Sequence, residues 1–194
     1  RPAKIVNHKT YNIMCVIIVR PAGVKMPSKE VLDAAYHANQ DGCGFVSTFH
    51  HKKTLSYATF LRELAKVHQS EACIIHFRLA THGSVRTANC HPFRRGDVFF
   101  AHNGILPIQP MGDMTDSETA FERYIYPAIA EYGYDDEMKD YVISNIIGCS
   151  KFAMMRLGDR EAKMYGSFIE QADGCYYSNL RFRYFMHKPY NHAI

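Results

Sequence analysis

Cys15 follows a methionine directly and opens the apolar, β-branched run C-V-I-I-V, and two segments downstream bring polar groups to strand ends where chemistry could be done. The first is H-F-R-L-A-T-H-G, His76 to Gly83, where an apolar strand ends in a cluster of polar residues, followed by N-C-H-P at Asn89 to Pro92. The second, F-A-H-N-G-I from Phe100 to Ile105, repeats the design and delivers His102, Asn103 and Gly104 to a strand end. Polar groups emerging together from the ends of buried strands are typical of a site floor. An asparagine side-chain N–H beside a glycine backbone N–H can hold a developing oxyanion, because the amide donor has a fixed direction and glycine permits close approach. An Asn-Gly pair standing alone is more often a hairpin turn.

These segments need strands to carry them and helices to cover those strands. The continuous runs Cys15 to Val19, Ala72 to Arg78 and Val98 to His102 read as strands buried on both faces. Pro27-Ser28 opens a helix with Ser28 as N-cap and Val31, Leu32, Ala35 and Ala38 on one side. A second amphipathic helix fits Thr59 to His68. A third starts near Ser117, with Ala120, Phe121, Tyr124 and Ile125 inward, and Pro127 should end or kink it. A fourth covers Asp136 to Ile147, stopped by Gly148. Phe152 to Leu157 and Ala162 to Tyr165 form a hairpin around Gly158-Asp159, and Gly174-Cys-Tyr-Tyr-Ser follows as a strand. N-Q-D-G-C-G-F at 39 to 45 marks a tight turn into a strand. Grouped this way, the elements predict an α+β layered fold with mainly antiparallel sheets.

The 194 residues favour one domain, and 47% hydrophobic with 22% charged residues excludes a disordered or collagen-like chain. No apolar run approaches the roughly 20 residues of a membrane span, so the expectation is a cytoplasmic protein with no membrane partner. Six cysteines without a C-x-x-C pair fit reduced thiols. The net charge of +4 belongs to the ends: residues 1–14 and 181–194 each carry three cations and no acid, leaving residues 15–180 at −2. Nucleic acid is therefore not the expected partner, although the tail R-F-R-Y-F-M-H-K-P-Y interleaves basic and aromatic residues; it reads as a last strand plus a docking tail. His76, His82, Cys90, His91 and His102 match no zinc spacing, so no metal is expected.

Met14-Cys15-Val-Ile, N-x-D-G-x-G at 39 to 44, H-x-R-x-A-T-H-G at 76 to 83, N-x-H-P at 89 to 92, H-N-G at 102 to 104 and D-S-E at 116 to 118 stand in one order. In that order the chain resembles the class II glutamine amidotransferases, the glutaminase domains of the N-terminal-nucleophile hydrolase superfamily. The resemblance runs from Cys15 to about Leu180 and takes in the late G-C-Y-Y-S-N-L. It implies a four-layer αββα sandwich of two antiparallel sheets, L-glutamine as substrate and no cofactor. It makes Cys15 the nucleophile once Met14 is removed, with Asn103 and Gly104 holding the oxyanion. The chemistry agrees: a thiol with a pKa of about 8.5 needs a base, and a free α-amine with a pKa of about 8 on the same residue is already in reach. Residue by residue, the resemblance also implies that Arg78 grips the substrate α-carboxylate, for which a planar guanidinium is the bidentate match. Asp116 would neutralise the α-ammonium, and the Thr81 hydroxyl with the His82 backbone would complete the pocket. Each residue has a plainer reading beside this one: a core thiol for Cys15, an ion-pair partner for Arg78, a helix N-cap for Asp116, a braced turn for Asn39 and Asp41.

Two positions depart from the sugar-forming members of that family. Leu79 stands where they carry tryptophan, and Pro107 to Pro110 follow where they have a polar loop. With only 14 residues after Leu180, the expectation is a stand-alone glutaminase domain over 15–180, passing ammonia to a separate acceptor enzyme. Residues 1–14 are read as a leader, a propeptide or an extension from translation upstream of Met14, and residues 181–194 as a C-terminal strand and tail. An internal Cys15 has an amide where the base should be, so only the chain that begins at Cys15 is expected to be active. Two other functions stay open: a γ-glutamyl amidohydrolase that keeps the Arg78 and Asp116 grip, and a catalytically silent glutamine-binding or interaction subunit. Oligomeric state is not legible.

Overall fold

The computed structural model describes residues 14–80 and 84–186. Ten strands and five helices follow in the order β1 (Val16–Arg20), α1 (Lys29–Ala38), β2 (Cys43–Ser47), β3 (His51–Thr54), α2 (Tyr57–Leu64), β4 (Cys73–Phe77), β5 (Phe93–Arg95), β6 (Val98–Asn103), α3 (Asp116–Ala120), α4 (Tyr126–Tyr132), α5 (Glu137–Ile147), β7 (Lys151–Arg156), β8 (Lys163–Tyr165), β9 (Ile169–Glu170) and β10 (Tyr176–Tyr177). They build a six-stranded sheet, β3-β2-β4-β1-β10-β9, and a four-stranded sheet, β5-β6-β7-β8. Every pairing is antiparallel.

The period-2 alternation of strand side chains sorts the core into three layers. From β1, Val16 and Ile18 point outward with Phe45, Ile75 and Phe77, and α1 and α2 cover them through Leu32, Ala35, Phe60 and Leu64. Ile17 and Val19 point the other way and, with Val46 and Ile74, meet Phe99, Ala101, Ala153 and Met155 of the second sheet. The far face of that sheet presents Phe100, Phe152 and Met154 to Phe121, Ile125, Ile129 and Ile143 of the helices. Two sheets face to face with helices on both outer surfaces make the expected αββα sandwich. The continuous apolar runs follow directly, because β1, β4 and β6 are buried on both faces from end to end.

Local chemistry sets the helix ends. The hydroxyls of Ser28 and Ser56 accept the N–H groups of Val31 and Thr59 at 3.3 Å, and Gly148 follows α5 at φ +53°. Ser56 starts α2 two residues earlier than expected. The chain tightens after Leu64, where the N–H groups of Lys66 and Val67 bond three residues back to Glu63 and Leu64, so the helix closes short of His68. Pro127 neither ends nor sharply breaks its helix. Residues 121–125 form a π turn, and Pro127 falls in the first turn of α4, where a missing N–H costs little. The wider turn also rotates Tyr124 out to solvent, against the inward expectation. The expected strand after Leu180 is a correction: Arg181–Phe185 is a 3₁₀ turn that seats Phe182 in the core, with the Phe185 ring 4.9 Å from the His37 ring of α1. The Asn179 side chain causes the turn by accepting the Arg181 N–H at 3.1 Å.

No helix among the described residues is long and apolar enough to cross a membrane. Phe100 is the anchor that holds β6 in place, stacked on Phe121 at 5.2 Å and edge-on to Phe152 at 5.0 Å. Phe100→Ala should lower unfolding free energy by about 3–5 kcal/mol in denaturant titration, through lost burial and the cavity left behind.

Candidate active site

The register of β1 and β4 positions the nucleophile candidate. Val16 lies opposite Phe77 and Ile17 opposite His76, so the next residues outward, Cys15 and Arg78, fall beside each other at one sheet end. Leu79 closes the pair: its N–H donates to Cys15 Sγ at 3.2 Å, and the Cys15 S–H points to its carbonyl at 3.3 Å. Burial pushes the Cys15 thiol above its ordinary value, against the Leu79 N–H and the Arg78 charge, which pull it down. Cys15 therefore stays a thiol at neutral pH and needs a base to react.

A small cavity of about 40 Å³ lies at this end, lined by Cys15, Arg78, Gly104 and Asp116, among others. The turn at 39–44 supports its floor. Asp41 Oδ2 accepts the Ala80 N–H at 2.8 Å, and the Asn39 side chain bonds back to the Ala35 carbonyl at 3.0 Å, the bracing expected of both. Gly44 fits because its backbone runs against the His91 carbonyl, where a Cβ would collide. Gly104 has φ +144°, and a Cβ there would fall on Ser150, so H-N-G is not a hairpin turn here; β6 ends in it at the cavity wall.

Asn103 does not line the cavity with the other four. Its Nδ2 donates to Ser178 Oγ at 2.8 Å, and the same Oγ accepts the Ile17 N–H at 2.9 Å. One serine after β10 thus ties the end of β6 to the start of β1, and the Asn179 side chain adds a bond to the Cys15 carbonyl at 2.8 Å. Neither residue is in the set expected from the sequence. The signal was present, since Ser178-Asn179 are again polar residues at the end of an apolar strand. Asp116 is not the N-cap of its helix: Thr115 Oγ1 accepts the Glu118 N–H at 3.1 Å, and Asp116 begins α3. Its Oδ1 accepts the Ser117 N–H at 2.8 Å, and its Oδ2 accepts the Leu106 N–H at 3.1 Å. The Arg78 guanidinium is buried and donates from Nη1 to the Ser84 carbonyl at 3.2 Å. Thr81 and His82 lie outside the described residues.

Three histidines form the base of the site. His91 Nδ1 is 3.1 Å from His76 Nε2 and receives the His102 N–H at 3.4 Å, while His76 Nε2 is 3.2 Å from the His102 carbonyl. The His102 N–H makes His91 Nδ1 an acceptor, so His76 supplies the proton between the two rings. Burial holds all three neutral, with His76 pushed down to about 3, His102 to about 4 and His91 well below its ordinary value. Among the described residues no three His, Cys, Asp or Glu side chains are grouped to hold a metal.

The departure at Pro107 to Pro110 has a structural counterpart. Beside the small cavity, and sharing Thr115 and Asp116 with it, lies a cavity of about 290 Å³ lined by Ile105, Leu106, Ile108, Pro110 and Met114.

Two antiparallel sheets between helical layers, with a cysteine at the entry of the central strand, make this an N-terminal-nucleophile hydrolase type of fold. Residues 34–147, more than half of the chain, match the family of class-II glutamine amidotransferases, and the chain belongs to that family. Among solved structures it is similar to glutamine phosphoribosylpyrophosphate (PRPP) amidotransferase from B. subtilis, complexed with ADP and GMP, at a TM-score of 0.54 and 21% identity. That match takes in 84% of this chain and 41% of the other, so the likeness is one of fold over less than half of the larger protein. No curated protein matches the chain.

The histidine base predicts acid sensitivity. In the unfolded chain His76 and His102 protonate near pH 6.5, and in the folded state not until about pH 3 and about pH 4, so the stability they contribute is full above pH 6.5 and falls as pH drops. At pH 5 each buried histidine should cost about 2 kcal/mol. Denaturant titrations at pH 7.5 and pH 5 should show this loss, and a midpoint that does not move would exclude neutral buried rings.

Proposed function

We propose that the protein hydrolyses the side-chain amide of L-glutamine through a Cys15 γ-glutamyl thioester. The observation that carries this reading is the convergence of Cys15, Gly104, Arg78 and Asp116 on one small cavity, in a chain of the class-II glutamine amidotransferase family. In this mechanism the free α-amine of Cys15 takes the thiol proton, and the thiolate attacks the side-chain carbonyl carbon. The amine reaction is needed because burial holds the thiol protonated. The Gly104 N–H at the cavity wall holds the oxyanion, and Asn103, which does not line the cavity, adds the Nδ2–H not spent on Ser178 once its side chain turns toward the thiol. The ammonium proton passes to the departing nitrogen, ammonia leaves, and water attacks the thioester to release glutamate and restore the thiol.

Arg78 and Asp116 hold the substrate's α-carboxylate and α-ammonium, with the Thr81 hydroxyl and His82 backbone completing the contacts. Together they demand a free amino-acid head. Ammonia then passes to a separate acceptor enzyme.

In the 194-residue chain Cys15 is preceded by 14 residues, and its nitrogen is an amide that cannot accept a proton. Protein beginning at Cys15 should release ammonia from glutamine, while the same chain with Met14 and its predecessors retained should be slower by at least about 100-fold, the order of loss when one group of an acyl-transfer site is missing. N-terminal sequencing must accompany the assay. Equal activity with an extended Cys15 would falsify the amine as base. Cys15→Ala should abolish turnover; full biological function in that variant would instead support a silent glutamine-binding subunit.

A second reading has its own support. The apolar cavity beside Asp116 can take a group larger than ammonia, as a γ-glutamyl amidohydrolase requires. Comparing kcat/KM for L-glutamine and for γ-glutamyl amides of apolar amines separates the two; preference for the amides by tenfold or more, about 1.4 kcal/mol, selects the second.

A further inference from the structure

Ser117 lies between His102 and Asp116. Its Oγ is 2.7 Å from His102 Nδ1 and 3.2 Å from Asp116 Oδ1, and its backbone N–H donates to that same Oδ1. A serine hydroxyl has one proton to give, and a carboxylate is the stronger acceptor. The O–H therefore goes to Asp116, and His102 supplies an Nδ1–H to Ser117 Oγ. That tautomer leaves Nε2 as a bare lone pair, and among the described residues His102 Nε2 is a buried atom without a hydrogen-bond partner. An unpartnered lone pair is tolerated there better than an unpartnered N–H. His102 and Ser117 are nearly enclosed, at 2% and 5% exposure, so the bond between them is little exposed to competing water. Ser117 N–H, Ser117 O–H and Leu106 N–H occupy three of the roughly four acceptor positions of the Asp116 carboxylate and leave one direction for a ligand.

We propose that Ser117 and His102 are positioning residues: the chain from His102 Nδ1–H through Ser117 O–H to Asp116 Oδ1 fixes the carboxylate that receives the substrate α-ammonium. The two residues thereby set selectivity for a free amino-acid head. This rests on the reading of Asp116 given above. His102 and Ser117 border the cavity together with Asp116, and the role proposed for the histidine is exerted on the carboxylate through Ser117; its neutrality keeps it from competing with the ammonium for the carboxylate.

The test uses the full chain carrying Cys15→Ala, so that binding is read without turnover. Calorimetry compares L-glutamine with glutaramic acid, which has the same carboxamide and carboxylate and lacks the α-amine. Ser117→Ala should weaken L-glutamine by about tenfold or more and leave glutaramic acid within about twofold. His102→Leu should behave as Ser117→Ala does, and His102→Asn, whose Nδ2–H stands close to the position of the imidazole Nδ1–H, should restore most of the loss. A long-range ¹H–¹⁵N spectrum should show His102 protonated at Nδ1. Equal weakening of both ligands, no weakening of either, or an Nε2-protonated His102 overturns the proposal while glutamine binding by the Cys15→Ala parent leaves the site reading intact. Failure of that parent to bind L-glutamine overturns the site reading, and the proposal with it.

Discussion

The antiparallel pairing of β1 with β4 is the constraint on which the site depends. Ile17 opposite His76 is one register among several that two apolar strands could adopt, and a slip of one residue would turn every side chain to the other face. The alternation of Val16, Ile18 and Ile17, Val19 between two different cores excludes that slip, because each set fits only its own layer. The outward step from this register places Cys15 against Arg78. The geometry of the reactive end is thus inherited from packing in the middle of the sheet.

The second sheet adds its groups by the same logic. Phe100 and Phe152 face the helices and Phe99 and Ala101 face the first sheet, which delivers His102, Asn103 and Gly104 at the strand end in a fixed order. Ser178 then joins the two deliveries. The site is built at the expense of local comfort: a thiol raised by burial, three rings held neutral, and buried atoms on His76, His102 and Asn103 that have no partner among the described residues. Buried polar groups of this kind weaken a fold unless the surrounding packing over-determines them.

Much of this was legible in the residues. The double-sided strands were readable because Cys15 to Val19 and Val98 to His102 are unbroken apolar runs, and the helix starts at Ser28 and Asp136 because caps are local chemistry. The family resemblance rested on motifs whose order survives where single motifs are ambiguous. What could not be read depended on partners far apart in sequence. Thr115 rather than Asp116 caps α3, because Asp116 is engaged by Leu106 and Ser117. The π turn at 121–125 carries no signal in the residue types there, and it hands the chain to α4 with Pro127 in the first turn. Ser178 looked like the close of a strand; its role appears only when Ile17 and Asn103 arrive on either side of it.

That last bond also says something about time. Ser178 and Ile17 are 161 residues apart, and β1 lies between β4 and β10 in the sheet, so one side of its hydrogen bonding comes from residues 73–77 and the other from the far end of the described residues. Closing so long a loop costs entropy that no local contact offsets, and contacts of this span form late. The surroundings of the Cys15 thiol are therefore complete only in the fully paired sheet, and a chain that has not placed β10 lacks the Ser178 and Asn179 bonds at its first strand.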